Sequence, residues 1–200
     1  MKYVKLKTGQ HYSSSFLETL LIKQSYKLII KRIDGKNLSI IDVGCGSDIG
    51  IKLMEKNNRV IGLDIKPYFQ GKRFECIIGN VHAIPLKDNT FDAVTSRSSV
   101  NYWNNKNKSI SEIIRILKPG GKFFIISIKH YKRPMRYLLL LLNYIICTGK
   151  KEKIEETKYF LETALQKEEI KKLMSKFPNV KYRITNHLLI YFCIEGKKLF

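Results

Sequence analysis

The sequence is short of cysteine and offers no cluster of metal-binding side chains. Its four cysteines, Cys45, Cys76, Cys147 and Cys193, form no C-x-x-C pair and have no histidine partner at metal-binding spacing. This scatter argues against a zinc site and against a disulfide framework, and it suits a reducing compartment. We therefore predict no bound metal, and a structural role for Cys76, Cys147 and Cys193.

The sequence also lacks an apolar run long enough to cross a membrane. Its most apolar segment, 135–147, falls short of the about 20 residues that a bilayer-spanning helix needs. Residues 1–10 alternate lysine with valine and leucine and have no continuous apolar centre, so they do not form a secretory signal. These absences predict a cytoplasmic protein without a transmembrane segment.

Acidic residues are scarce relative to basic ones: 17 Asp and Glu stand against 37 Lys and Arg, a net charge of +20. Such an excess raises nucleic acid or an anionic membrane surface as a partner. The cations are mostly lysines spread through the chain, without a basic stripe carrying interleaved aromatics. Since arginine is preferred for bidentate phosphate contacts, charge alone does not predict a nucleic-acid interface.

The most informative stretch is 39–50, S-I-I-D-V-G-C-G-S-D-I-G. An apolar run followed by glycines and then a helical pattern predicts a buried strand that turns sharply into a helix. Gly44 and Gly46 allow positive φ and let a ligand lie against the main chain. A dinucleotide is disfavoured, because Asp42 and Asp48 would face its pyrophosphate. We expect these acids to flank the bend and to favour a cationic ligand.

Four further stretches follow in a regular order. Val60 to Asp64 is a short strand ending in an acid about twenty residues after the glycines, where a carboxylate can accept both ribose hydroxyls. The others are C-I-I-G-N-V at 76–81, I-P-L-K-D-N-T-F-D-A-V at 84–94 and R-I-L-K-P-G-G-K-F at 115–123.

Together these stretches resemble the class I S-adenosylmethionine (SAM) dependent methyltransferases, of the small single-domain type 11 group. The family's first motif, acid-x-Gly-x-Gly-x-Gly, matches residues 42–48, with Asp48 in place of the third glycine. The family's "P-F-x-D-x-S-F-D-x-V" and "R-x-L-K-P-G-G" segments resemble 84–94 and 115–121. Asn80 stands where the family usually has Asp, and its amide oxygen can still accept from an adenine amino group.

The resemblance implies a cofactor, S-adenosyl-L-methionine, and a site for it. Asp64 would bind the ribose, Asn80 the adenine, and Ser96 and Arg97 would lie beside the methionine part. The predicted cofactor-binding residues are Asp42, Gly44, Cys45, Gly46, Asp64, Ile65, Asn80, Val81, Ser96 and Arg97.

The implied fold is a Rossmann-like, doubly wound α/β sheet, mostly parallel with an antiparallel C-terminal strand. The length predicts one domain over 1–200, with a helical N-terminal cap at 1–37. The implied reaction is an in-line displacement in which an acceptor nucleophile takes the sulfonium methyl group. No catalytic residue is assigned; the candidate bases are His11, Tyr12, His130 and Tyr131.

The segment 129–164 is predicted to be an acceptor-site insertion, as the family commonly builds one here. Its apolar helix at 135–147 can be a lid, an interfacial membrane helix, a dimer contact or core. A small apolar or lipid-like acceptor is the favoured substrate. An RNA methyltransferase and a non-catalytic SAM-fold partner protein are the alternatives.

Overall fold

The computed structural model describes residues 16–46, 49–66, 74–146 and 151–200. The helices in these ranges are α1 (Phe16–Ile33), α2 (Ile49–Met54), α3 (Lys106–Ile116), α4 (Arg133–Ile146), α5 (Lys151–Glu162) and α6 (Lys167–Met174). The strands are β1 (Ser39–Val43), β2 (Arg59–Asp64), β3 (Cys76–Ile78), β4 (Phe91–Arg97), β5 (Leu117–Ile128), β6 (Val180–His187) and β7 (Tyr191–Lys198). The described ranges do not include His11, Tyr12, Asp48 or Cys147, so the predictions for these four residues lie outside them.

The strands form one seven-stranded sheet in the order β3-β2-β1-β4-β5-β7-β6. Neighbouring strands from β3 to β5 are parallel, while β7 runs antiparallel to both β5 and β6. The chain order reverses between β1 and β4, which opens a crevice at the carboxyl ends of these strands. The predicted α/β fold with an antiparallel C-terminal strand is confirmed.

Helices cover both faces of the sheet, and each face has its own apolar cluster. One face packs α1 and α2 against the sheet through side chains that include Ile22, Ile29 and Ile51. The other face packs α3 and α6 through side chains that include Ile110 and Ile170. Both faces of the central strands are therefore buried, which explains why β1 reads as a continuous apolar run interrupted by one acid.

Two strand boundaries differ from the pattern-based prediction. The apolar pattern over 188–194 predicts a last strand that begins at Leu188, but residues 188–190 form a turn and β7 begins at Tyr191. Leu188 has a φ of +51°, a left-handed conformation that does not continue a strand. The apolar pattern over 123–128 predicts a fifth strand that begins at Phe123, but β5 begins at Leu117, because Leu117 already pairs with Phe91 and an irregularity separates this pair from the pair of Lys122 with Ala93.

Gly196 in β7 marks a close approach between the strand and the core. It is buried, and a Cβ added there would lie 2.2 Å from two ring atoms of Phe123. We expect Gly196→Ala to lower the free energy of unfolding by about 2 kcal/mol, because the core must shift to admit the methyl group. Urea unfolding followed by circular dichroism measures this change.

The double variant Gly196→Ala/Phe123→Leu provides the control. A smaller side chain at 123 makes room for the methyl group, so the two substitutions should be less destabilising together than their separate effects add up to. Strict additivity of the two effects would contradict this account of Gly196.

Candidate functional site

The glycine loop between β1 and α2 lies directly on the turn that follows β4. Gly44 has a φ of +68°, and its N–H donates to the Leu63 carbonyl at the end of β2 over 2.7 Å. A Cβ at Gly44 would lie 2.4 Å from the Cβ of Ser99. Glycine is therefore required here both by backbone conformation and by the close approach of the neighbouring turn.

Gly46 is the glycine of this loop that leaves room for a ligand. Its φ is +54°, and no atom of the described residues lies within 4 Å of a Cβ built on it. Its N–H donates to the Asp64 carboxylate over 2.8 Å. The loop is thereby tied to the end of β2, and no described residue fills the space above Gly46.

Asp64 ends β2 and joins two segments of the site. One carboxylate oxygen accepts the Gly46 N–H and the other accepts the Lys66 N–H, both over 2.8 Å. The side chain is partly exposed, and each oxygen keeps a lone pair for a hydroxyl donor. The adjacent Ile65 is 60% exposed and offers an apolar surface beside the carboxylate.

The turn after β3 brings two more predicted residues to the same end of the sheet. The Gly79 N–H donates to the Asp64 carbonyl over 3.0 Å. Asn80 is exposed, and its amide oxygen accepts the His82 N–H over 2.9 Å, which shapes the turn. Val81 is buried beneath it. The oxygen of Asn80 keeps a second lone pair for a ligand N–H.

Asp42 has a different position from the predicted one at the edge of the glycine bend. Its carboxylate is fully buried, where it accepts the Tyr26 hydroxyl over 2.7 Å and the Thr95 hydroxyl over 2.6 Å. The reason is strand alternation: Ile41 and Val43 face the cluster of α3 and α6, so Asp42 faces α1. Asp42 therefore supports the loop from behind, and Asp64 is the described acid that faces it.

Burial raises the pKa of Asp42 to about 6, although the bonds from Thr95 and Tyr26 oppose this shift. The folded protein thus holds this proton more tightly than the unfolded chain does. The contribution of Asp42 to stability is therefore greatest below about pH 4 and is lost as pH rises through about 6, a change of about 3 kcal/mol.

Asp42→Asn is expected to remove this component of the pH dependence. Urea unfolding of wild type and variant between pH 4 and 7 checks it, and the difference between the two curves is the readout, because Asp92 and Glu112 have lowered pKa values and contribute the opposite slope. Parallel curves for wild type and variant would contradict the assignment.

Ser96, at the carboxyl end of β4, is also buried rather than facing a ligand. Its hydroxyl lies 2.6 Å from the Ser99 hydroxyl, and the Ser99 hydroxyl is 3.3 Å from the Val43 carbonyl. The pair holds the turn after β4 against the end of β1. Ser99 was not among the predicted site residues, although it forms the contact with Gly44.

Arg97 is the polar side chain of β4 with unused hydrogen-bonding capacity. Its Nη2 lies 3.3 Å from the Tyr191 hydroxyl, and its Cζ is 5.4 Å from the centre of that ring. Its Nε is buried and has no hydrogen-bond partner in the part of the chain that the structure describes. A guanidinium N–H without a described partner at the carboxyl end of β4 suits the carboxylate of a ligand.

Cys45 lies between the two glycines and is buried. Its Sγ is 3.9 Å from the Sγ of Cys76, and both thiols are free. The hydrogen bond with Cys76 and burial raise the pKa of the Cys45 thiol. Cys45 therefore fills the space under the loop as a neutral side chain. Among the described residues, no group of His, Cys, Asp and Glu could hold a metal ion.

Asn101 connects the segment 129–164 to the end of β4. It is buried in the turn after this strand. Its amide nitrogen donates to the Thr163 hydroxyl over 3.2 Å, and its amide oxygen accepts the Ser127 hydroxyl over 2.9 Å. The ring of Tyr102 stacks on Tyr159 at 5.1 Å. These contacts fix α5 and the residue after it beside the carboxyl ends of β4 and β5.

Three ring-bearing side chains near the predicted site take ordinary positions. Trp103 is buried in the cluster with α3, which supports a structural role for this residue. Tyr131 donates its hydroxyl to the Leu189 carbonyl over 2.6 Å, and His130 is exposed.

The arrangement fits a nucleoside that carries an amino-acid tail. Asp64 has a partly exposed carboxylate that suits ribose hydroxyls, no described residue fills the space above Gly46, and the Nε of Arg97 has no hydrogen-bond partner among the described residues, which suits a carboxylate. S-adenosylmethionine has ribose hydroxyls and a carboxylate on its amino-acid tail, so the residues present fit the predicted cofactor.

Comparison with known proteins identifies a domain over the same elements. Residues 41–125, from β1 to β5, match the family model described as a methyltransferase domain. A SAM-dependent methyltransferase from Aquifex aeolicus has the same fold, with a TM-score of 0.61 and 15% sequence identity, covering 86% of this chain and 89% of that chain.

Curated relatives also match by sequence, and two of them illustrate the similarity. The malonyl-[acyl-carrier protein] O-methyltransferase of Buchnera aphidicola is 35% identical over 101 residues, 47% of this chain and 41% of that protein. The ubiquinone/menaquinone biosynthesis C-methyltransferase UbiE of Rickettsia prowazekii is 32% identical over 124 residues, 52% of this chain and 49% of that protein. The chain thus spans about half the length of these curated relatives.

Proposed function

We propose that the protein is a class I SAM-dependent methyltransferase that transfers a methyl group from SAM to a small apolar or lipid-like acceptor. The match of residues 41–125 to a methyltransferase domain supports this proposal.

One observation carries the proposal: the Gly46 N–H donates a hydrogen bond to Asp64, and no described residue fills the space above Gly46. A glycine loop bound to the acid of the next strand presents main chain and a carboxylate to one ligand. A pyrophosphate would bring two negative charges toward Asp64, whereas a ribose brings two hydroxyl donors. The local chemistry therefore favours a nucleoside without phosphates.

Some of the predicted residues would contact the cofactor, and others support the loops that carry these contacts. Asp64 would accept the ribose hydroxyls, and Ile65 and Asn80 would contact the adenine. Arg97 would hold the carboxylate of the methionine part through its free Nε–H. Asp42, Ser96, Cys45 and Val81 act indirectly, because their burial supports the loops that carry the contacts.

When bound, the cofactor supplies a methyl group on a sulfonium, which is already activated for displacement. The protein's contribution is to hold the acceptor atom near that group and in line with the bond that breaks. Among the described residues, Tyr131 is bonded to a carbonyl and His130 is exposed. We accordingly assign no general base.

The apolar character of the segment 129–164 supports a lipid-like acceptor. Helix α4 carries five exposed apolar side chains close to the end of β5. The two curated relatives described above are named for quinone biosynthesis and for an acyl carrier protein substrate. An acceptor with an apolar body is consistent with both.

The test combines calorimetry with a transfer assay. SAM titrated into the protein should release heat, and protein with tritiated-methyl SAM and a cell extract should label the fraction that partitions into organic solvent. The same assay with Asp64→Ala should lose both signals.

The alternatives give different results in the same assay. Label in a nuclease-sensitive fraction would replace the lipid-like acceptor with RNA, for which the net charge of +20 is the supporting observation. Absence of heat and of any labelled fraction at millimolar SAM would leave the non-catalytic partner protein.

A further inference from the structure

Helix α4 turns an apolar face outward. Leu138, Leu141 and Leu142 stand at i, i+3 and i+4 and share one side of the helix, and they are 48%, 57% and 44% exposed. Met135 and Tyr137 flank them and are 45% and 68% exposed. A helix that only packs on a core buries its apolar side and exposes its polar side. The core-packing alternative for these leucines is therefore wrong.

The inward side of α4 confirms this orientation. Arg136 is partly buried and lies 3.9 Å from the Glu162 carboxylate of α5. Leu139 and Leu140 are also less exposed than the leucines around them. The helix thus directs a charged residue toward its neighbour and leaves its most apolar strip without a partner among the described residues.

The turn between β6 and β7 adds apolar surface near the start of α4. Leu189 is 89% exposed, and Leu188 is 41% exposed. The Lys129 ammonium and the Tyr131 hydroxyl both donate to the Leu189 carbonyl, over 3.0 and 2.6 Å. The loop that leads into α4 is therefore fixed to this turn, and we call the exposed side chains of α4 and this turn the leucine surface.

Basic residues stand where the leucine surface begins. Lys132 and Arg133 are exposed immediately before the apolar strip, and Lys129 lies at the turn. Exposed apolar side chains beside cations are the pattern of a helix that lies in the headgroup region of an anionic bilayer. A second copy of this chain would bring another charge of +20 to the same surface, so self-association is electrostatically opposed.

We propose that the leucine surface docks the protein onto an anionic lipid membrane, with α4 lying in the plane of the interface. No helix among the described residues is long and apolar enough to span a bilayer. Docking would insert the leucines among the acyl chains near the headgroups and leave Lys132 and Arg133 beside lipid phosphates. Because α4 follows β5 closely, the carboxyl ends of the strands would then face the lipid. The inference does not depend on methyl transfer.

Sedimentation with vesicles tests the proposal without cofactor. The full chain should bind vesicles of phosphatidylglycerol and phosphatidylcholine in equal parts, and bind phosphatidylcholine vesicles much more weakly. Leu138→Ser/Leu141→Ser should lower the affinity for the mixed vesicles by at least about tenfold, because two apolar side chains no longer enter the interface. Unchanged binding would mean attraction by charge alone and would overturn the proposal.

Matched controls separate the surface from general effects. Leu199→Ser/Phe200→Ser removes two side chains that are 49% and 76% exposed after the end of β7, at the opposite end of this strand from the turn that carries Leu189. This variant should leave binding unchanged. Lys132→Glu/Arg133→Glu should weaken binding by more than tenfold, at roughly fivefold per basic residue.

Lys171→Glu/Lys172→Glu on α6 makes the same change in net charge and should have a much smaller effect. Thermal unfolding by circular dichroism establishes that each variant is folded. Sedimentation velocity tests the remaining occupant, a second copy of this chain. If the protein did not bind anionic vesicles but formed a dimer, and if Leu138→Ser/Leu141→Ser dissociated that dimer, the leucine surface would be a dimer contact instead.

Discussion

Asp64→Ala is expected to lower the affinity for SAM by at least about 100-fold. Two charge-assisted hydrogen bonds to the ribose would be lost, at about 1.5–3 kcal/mol each, and the Gly46 N–H would lose its 2.8 Å acceptor. The loop and the cofactor are therefore weakened together. Isothermal titration calorimetry with SAM measures the change.

Asp92→Ala is the matched control for Asp64→Ala. Asp92 also accepts a backbone N–H, from Ser39 over 2.9 Å, and it binds the Lys118 ammonium over 2.8 Å. It lies near the amino end of β4, away from the glycine loop. This variant should lose stability while keeping the affinity for SAM within about twofold. Equal loss of affinity in both variants would refute the assigned role of Asp64.

Gly46→Ala is expected to lower the affinity for SAM roughly 10- to 100-fold while the protein stays folded. The new methyl group meets no described atom of the protein, so its cost in the free protein is the strain of an alanine at a φ of +54°, about 1 kcal/mol. The same methyl group would stand where the cofactor approaches the main chain, and the ligand would have to move away from the loop.

Gly120→Ala isolates the backbone strain from the effect on the ligand. Gly120 has a φ of +77° and equally open surroundings, but it lies in β5 before the strand enters the core. Both variants should lose similar stability in urea unfolding, and only Gly46→Ala should lose affinity. If Gly120→Ala weakened SAM binding as much, the open space above Gly46 would not be the cofactor's place.

The parts of the site that could be predicted are those encoded by short segments. An apolar run followed by glycines, or by one acid, marks the carboxyl end of a buried strand. Residues of this kind are Gly44, Gly46 and Asp64, and in a parallel sheet such ends meet at one edge. The sequence therefore located the loop, the acid that binds it and the strands that precede them.

The direction of each side chain was harder to predict. Asp42 and Ser96 stand at strand ends as expected, yet both are buried. Strand alternation assigns residues to the two faces of the sheet. It does not show which polar residue has a hydrogen-bond partner in the protein interior, because that partner comes from a distant segment. The hydroxyls of Tyr26 and Thr95 supply that partner for Asp42, and Tyr26 comes from a helix sixteen residues earlier.

For this protein, the sequence alone determined the fold class, the position of the glycine loop and the presence of an apolar helix after β5, because each depends on residues that are neighbours along the chain. Only the tertiary structure decided that Ser99 touches Gly44, that the Nε of Arg97 has no partner within the described ranges, and that the leucines of α4 face outward. These features depend on contacts between distant segments, and periodicity gives the apolar side of a helix but not what covers it.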